Sequence, residues 1–122
     1  MAKILIIEDN PTNMKLAMFL LEKAGHTVIS ALDAEAGLTL ARDEHPSLIL
    51  MDIQLPGMDG LEATSLLKQD AVTSAIPVVA LTALAMKGDE ERIRAAGCDG
   101  YISKPMRYQE FLTTISAQLA RS

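Results

Sequence analysis

The sequence predicts a doubly wound α/β domain, with helices on both faces of a five-stranded parallel sheet. Five short apolar runs alternate with longer segments whose apolar residues recur every three or four positions, the spacing of amphipathic helices. This regular alternation favours parallel strands, because parallel pairing needs long, right-handed crossovers. The first, third and fourth runs are continuously apolar, as in strands buried on both faces. The runs lie at residues 4–7, 28–31, 48–51, 78–81 and 101–103.

The first two helices lie between the first three runs. Asn10 followed by Pro11 is typical of a helix N-terminus, with asparagine as the N-cap and proline in the first turn. Gly25 stands where glycine commonly ends a helix. The apolar positions of these two helices are Met14, Ala17, Met18 and Leu21, then Ala34, Gly37, Leu38 and Ala41.

The last three helices are less uniform. The fourth, at residues 88–96, is the most charged and has the weakest apolar stripe, and Gly97 is expected to end it. The pairs Asp59-Gly60 and Asp99-Gly100 are typical of turns, so we interpret their aspartates as turn residues and not as functional acids. We expect Met106 to be exposed near the fifth helix. The apolar stripes of the third and fifth helices are Ala63, Leu66 and Leu67, then Phe111, Ile115 and Leu119.

Composition excludes several classes of function. A net charge of −5 and only four aromatic residues disfavour nucleic acid as a direct ligand. A single cysteine, Cys98, excludes an intramolecular disulfide and a multi-cysteine metal site. The longest apolar stretch, residues 75–86, is too short and too interrupted for membrane insertion. With no visible signal peptide, these features predict a cytoplasmic protein.

Polar residues follow four of the five strands. The first strand runs into Glu8 and Asp9, the third into Asp52, the fourth into Thr82 and the fifth into Lys104. Parallel strands of a doubly wound sheet bring these ends to one edge, where such sheets bind ligands. Three carboxylates within ~5 Å repel by roughly 3 kcal/mol per pair. The cluster therefore predicts a cation, and hard oxygen ligands favour Mg²⁺.

A carboxylate beside Mg²⁺ can attack a phosphoryl donor and form an aspartyl phosphate. The charge on the transferring group can be neutralised by Mg²⁺, a lysine and a hydroxyl. Asp52, on the central strand, is the best-placed nucleophile, with Lys104 and Thr82 as its catalytic partners.

These residues resemble the response-regulator receiver domains of two-component and phosphorelay signal transduction. That family has an acidic pair, an aspartate, a threonine or serine, and Lys-Pro at these strand ends, as the sequence has in Glu8-Asp9, Asp52, Thr82 and Lys104-Pro105. The resemblance covers essentially the whole chain, so residues 1–122 are expected to form one receiver domain with the CheY-like sheet order 2-1-3-4-5. Residues 85–94 and 97–105 further resemble a subgroup of receivers without an output domain.

The resemblance implies a phosphoprotein rather than an enzyme acting on a separate substrate. Asp52 would accept a phosphoryl group from a histidine kinase or a histidine phosphotransfer protein. Asp9, Asp52 and the backbone carbonyl of Gln54 would bind Mg²⁺, with Glu8 acting through water. Lys104 would pair with the phosphoryl oxygens.

The resemblance also implies a switch. Thr82 would move to the phosphoryl group and Tyr101 would follow inward, changing how the face formed by the fourth helix, fifth strand and fifth helix binds a target protein. On fold grounds alone, Tyr101 could simply cover the core. Gln54 and Leu84 stand where relatives tune the lifetime of the phosphoryl group. Because an apolar Leu84 offers no hydrogen bond to an attacking water, slow autodephosphorylation is expected.

Rival functions fail on particular residues or remain open. A haloacid-dehalogenase-type enzyme needs a second aspartate where Gln54 stands, and a dinucleotide-binding enzyme needs glycines in residues 8–13, which contain none. Two alternatives stay open: a receiver-like interaction module that switches without phosphorylation, and a receiver fragment of a hybrid kinase or larger regulator.

Overall fold

The chain forms a five-stranded parallel sheet in the predicted order. A computed structural model describes residues 2–83, 87–104 and 106–121. The strand order is β2-β1-β3-β4-β5, and every neighbouring pair is parallel. The elements are β1 (Lys3–Ile7), α1 (Pro11–Lys23), β2 (Thr27–Ala31), α2 (Ala34–Glu44), β3 (Leu48–Asp52), α3 (Gly60–Gln69), β4 (Val78–Thr82), α4 (Lys87–Ala95), β5 (Gly100–Ser103) and α5 (Tyr108–Arg121).

The sheet has one apolar cluster on each face. Successive side chains of a strand point to opposite faces, so Leu5 and Ile7 of β1 join one cluster while Ile4 and Ile6 join the other. The first cluster packs against α2, α3 and α4, and the second against α1 and α5. β3 and β4 are buried along their whole length, which confirms the prediction from their uninterrupted apolar runs.

Side-chain caps fix where three helices begin. Asn10 accepts a hydrogen bond from the Asn13 amide at 3.0 Å, as its position before Pro11 predicts. Asp33 and Asp59 cap α2 and α3 in the same way, each at 2.8 Å. Asp59 is therefore a helix N-cap rather than a simple turn residue. Gly25 and Gly97 follow α1 and α4 with φ of 93° and 106°, the left-handed region in which glycine ends helices.

Two predicted side-chain positions differ in the structure. The inner stripe of α3 is Gly60, Ala63, Thr64 and Leu67, so the period of the helix turns Leu66 outward, where it is 41% exposed. Met106 is buried against α1 and α5, because the segment before α5 packs on that cluster; its predicted exposure is wrong. Leu119 is partly buried and packs against the same cluster, in agreement with its place in the predicted stripe of α5.

Asp99 links three elements at the start of β4. Its carboxylate accepts a hydrogen bond from the Val78 amide at 2.8 Å and pairs with Lys68 of α3 at 2.9 Å. Its carbonyl oxygen accepts from the amide of the buried Gln118 of α5. Asp99 is thus a packing residue, not only part of a turn. Cys98 beside it is buried as predicted, and burial raises the pKa of its thiol.

None of the helices in the described ranges is both long and apolar enough to cross a membrane.

Candidate functional site

The predicted acidic residues meet at the carboxyl edge of the sheet. β1 and β3 are neighbours with Ile7 opposite Met51, so the residues that follow them lie side by side. Carboxylate oxygens of Glu8, Asp9 and Asp52 all lie within 4.8 Å of one another. Glu8 and Asp52 are buried, at 0% and 2% exposure, whereas Asp9 is exposed. The structure therefore confirms the clustering that the strand order predicts.

Lys104 bridges the two buried carboxylates. Its ammonium nitrogen lies 3.1 Å from Oε1 of Glu8 and 3.3 Å from Oδ2 of Asp52. The Lys104 amide donates to the carbonyl oxygen of Thr82 at 2.8 Å, which continues the β4–β5 pairing beyond the ends of the strands. One ammonium thus faces two buried carboxylates, with Asp9 close by, and the cluster keeps an excess of negative charge.

Backbone amides orient both buried carboxylates. The Gln54 amide donates to Oδ1 of Asp52 at 2.9 Å, and the Asn10 amide donates to Oε2 of Glu8 at 3.1 Å. The side chain of Gln54 is exposed. The two oxygens of Asp52 therefore have different neighbours, an amide on one and the Lys104 ammonium on the other.

The environment of Glu8 favours its protonated form. Burial, followed by its contact with Asp52, raises the pKa of Glu8 to about 7. Its Oε1 is buried without a well-oriented hydrogen bond, although the Lys104 ammonium lies nearby. An unsatisfied buried oxygen beside two further carboxylates suits a divalent cation, which prefers such oxygens and would offset their repulsion.

The two predicted switch residues lie on adjacent strands. Thr82 is buried at the end of β4, opposite Ser103 of β5. Tyr101 is half-buried against the cluster that contains Ile93 of α4. A hydrogen bond with the Glu90 carboxylate of α4 is the main cause that raises the pKa of the Tyr101 phenol.

Glu90 is a partner of Tyr101 that the sequence interpretation missed. Its place in the first turn of α4 indicates only a favourable interaction with the helix dipole and an i,i+4 pair with Arg94, and that pair is present at 3.9 Å. No sequence signal links it to an aromatic residue eleven positions later. Two residues of the predicted pattern, Leu84 and Pro105, lie outside the described part of the chain.

Comparison with known proteins agrees with this geometry. Residues 4–116 match the response regulator receiver domain family. The chain belongs to that family. It is 53% identical over 116 residues to the polar-differentiation response regulator DivK of Brucella abortus and of Brucella suis, covering 95% of this chain and 94% of each relative. This similarity agrees with the subgroup indicated by residues 85–94 and 97–105.

Solved structures of other receivers have the same fold. The chemotaxis protein CheY4 of Vibrio cholerae aligns with a TM-score of 0.91 and 25% identity, over 96% of this chain and 98% of that chain. The receiver domain of the sensor histidine kinase PA1611 of Pseudomonas aeruginosa aligns with a TM-score of 0.91 and 31% identity, over 98% of each chain. That structure has a magnesium ion coordinated in its active-site cleft. The present chain is thus a DivK-like response regulator of two-component signalling.

Proposed function

We propose that this receiver works by accepting a phosphoryl group on Asp52. The observation that carries the proposal is the position of this buried carboxylate, 3.3 Å from the Lys104 ammonium and within 4.8 Å of two further carboxylates. A structural role does not require three acids to cluster, since their repulsion opposes folding. Phosphoryl transfer does use such a site, because it needs a positioned nucleophile and groups that neutralise phosphoryl charge.

The residues fit a magnesium site in the way the family implies. Asp9, Asp52 and the backbone carbonyl of Gln54 would hold the ion, with Glu8 acting through water. When bound, Mg²⁺ supplies positive charge that lowers the repulsion among the carboxylates and toward a phosphoryl donor. The chain's own contribution is orientation, since the Gln54 amide holds Oδ1 of Asp52 and Lys104 contacts Oδ2.

The donor would be a phosphohistidine of a kinase or a histidine phosphotransfer protein. An oxygen of Asp52 forms the new bond to phosphorus, the bond between phosphorus and the histidine nitrogen breaks, and that nitrogen keeps the electron pair. The Lys104 ammonium then pairs with the transferred oxygens. Leu84 offers no hydrogen bond to an attacking water, so the aspartyl phosphate is lost slowly by autodephosphorylation.

The transferred group would act as a switch for protein binding. Thr82 moves toward it and Tyr101 turns inward, away from the Glu90 carboxylate of α4 that raises the pKa of its phenol. The face formed by α4, β5 and α5 then binds a target protein differently, as a population shift between two states. In this proposal residues 1–122 are one receiver domain that works in the cytoplasm, in a phosphorelay like that of a DivK-type regulator.

Intact mass measurement tests the proposal. The protein is incubated with acetyl phosphate and either Mg²⁺ or EDTA, and a decay time course follows. We expect one added phosphoryl group that requires Mg²⁺ and is absent from Asp52→Asn but present in Asp43→Asn, which removes the same charge from the exposed end of α2. Absence of the adduct at every time point would reject the proposal and favour an interaction module that switches without phosphorylation.

A further inference from the structure

Gly60, the first residue of α3, lies directly against the residue that carries the predicted nucleophile. A Cβ placed on Gly60 would lie 2.2 Å from the carbonyl oxygen of Asp52 and 2.6 Å from Cα of Ile53. Ordinary van der Waals contacts of a Cβ begin at about 3.4 Å. Both neighbours are backbone atoms, one at the end of β3 and one in the residue that follows it, so no side chain can rotate away to make room.

The backbone conformation does not require a glycine here. The φ of Gly60 lies outside the left-handed region, so an alanine could adopt it. Gly57 in the same loop is the opposite case, with a φ of 74° and open space where a Cβ would stand. The need for glycine at position 60 therefore comes from the close approach of α3 to Asp52.

Hydrogen bonds hold Gly60 in this position. Its amide donates to the carbonyl oxygen of Ile53 at 3.3 Å, and its own carbonyl accepts from the buried hydroxyl of Thr64 at 2.8 Å. The first contact joins the two ends of the loop of residues 53–59, and the second lies within the first turn of α3. Gln54 lies in that loop, and its amide orients the Asp52 carboxylate.

We infer that Gly60 is a positioning residue for phosphoryl transfer: its missing side chain lets α3 and the 53–59 loop close against Asp52. The inference rests on the proposed function of Asp52. A Cβ at this position forces either the Asp52 peptide or the start of α3 to move, and α3 carries the Gln54 loop with it. Either movement changes how the nucleophile is held, and a displacement near 1 Å can slow a reaction about 10²-fold.

Three glycine-to-alanine variants separate positioning from packing. Gly60→Ala inserts a methyl group against Asp52. Gly37→Ala is the matched control, since its Cβ would lie 2.3 Å from the Ile7 side chain in the core. Gly88→Ala places a methyl group in open space. For each, we would measure melting temperature, Mg²⁺ affinity by calorimetry, and the rate of phosphoryl uptake from acetyl phosphate at saturating Mg²⁺ per folded molecule.

We expect Gly60→Ala to take up the phosphoryl group at least about 10-fold more slowly than wild type and to bind Mg²⁺ more weakly. Gly37→Ala should lower the melting temperature yet keep the wild-type rate of uptake and Mg²⁺ affinity. Gly88→Ala should also keep the wild-type rate and affinity. Wild-type rate and affinity in Gly60→Ala would overturn the inference while leaving the proposed function intact. If wild type itself takes up no phosphoryl group, the proposed function fails, and the Mg²⁺ affinities of the alanine variants still decide whether Gly60 positions the site.

A second pair of variants applies if Gly60→Ala does not fold. Thr64→Val keeps the shape of the side chain but removes the hydroxyl that holds the Gly60 carbonyl, whereas Thr64→Ser keeps the hydroxyl. We expect slower phosphoryl uptake and weaker Mg²⁺ binding in Thr64→Val, with recovery in Thr64→Ser. Wild-type values for Thr64→Val would then overturn the inference.

Discussion

Asp52→Asn should stabilise the metal-free receiver at pH 8 and lose that effect at pH 5.5. The substitution removes the charge of Asp52 but keeps an oxygen that can accept from the Gln54 amide. Two opposing charge effects decide the result: repulsion from Glu8 and Asp9, and attraction to Lys104. Their balance depends on pH because the pKa of Glu8 is raised to about 7.

The distances give the size of each effect. At an effective dielectric near 20, charges 4.8 Å apart, the upper limit for these carboxylate oxygens, repel by about 3.5 kcal/mol, and the 3.3 Å pair of Asp52 with Lys104 attracts by about 5 kcal/mol. At pH 8 Glu8 is mostly ionised, so the two repulsions together outweigh the attraction by about 2 kcal/mol, or about 1 kcal/mol once screening of the exposed Asp9 is counted. At pH 5.5 Glu8 is protonated, one repulsion disappears and the attraction to Lys104 is larger.

Thermal unfolding in EDTA at the two pH values measures this balance. We expect Asp52→Asn to melt roughly 5 °C above wild type at pH 8 and at or below wild type at pH 5.5. Asp43→Asn, which changes the net charge equally on an exposed helix end, should stay close to wild type at both. Saturating Mg²⁺ should stabilise wild type more than Asp52→Asn, because the ion binds only an intact site. A lower melting temperature for Asp52→Asn in EDTA at pH 8 would refute the reasoning.

Three further measurements address other parts of the molecule. The folded-state pKa of Glu8 is raised, so the stability that its proton provides is present below pH 4.5 and is lost as pH rises through about 7. Glu8→Gln should therefore flatten the dependence of the free energy of unfolding on pH, by at most about 3 kcal/mol in urea unfolding. An unchanged pH dependence would contradict the assignment. Leu84→Glu should shorten the lifetime of the aspartyl phosphate, and decay no faster than wild type would reject the tuning role of Leu84. Asp99→Ala leaves the Val78 amide without its carboxylate partner, so it should lower the free energy of unfolding by about 1–3 kcal/mol. The rate of phosphoryl uptake should stay unchanged, and a large loss of uptake would link Asp99 to the site.

Much of the fold and the site was predictable because each depends on local spacing. The apolar runs and helical stripes follow from the periods of strands and helices, and right-handed crossovers limit the possible topologies. Once the strands are parallel and adjacent, Glu8, Asp9, Asp52 and Lys104 have to meet at one edge. The cap at Asn10 and the glycine ends of α1 and α4 are equally local, and the structure confirms them.

The predictions were wrong where a side chain could face either the core or the solvent. Leu66 fits an apolar stripe by composition, but Thr64 occupies the inner position because its hydroxyl is satisfied by the Gly60 carbonyl. Met106 follows the site lysine in a short connection, and only the packing of α5 against α1 shows that it is buried. Neither outcome follows from the apolar character of the residue alone.

The sequence by itself determined the alternating architecture, the edge at which the acids meet and the family to which the chain belongs, since these depend on residue types at regular spacing. Tertiary structure alone decided the raised pKa of Glu8, the contact of Tyr101 with Glu90 and the close approach of Gly60 to Asp52. Each of these depends on atoms that are distant in sequence and within a few ångströms in space. Burial, electrostatic interaction and steric exclusion act over that short range, and residue spacing along one chain does not encode them directly.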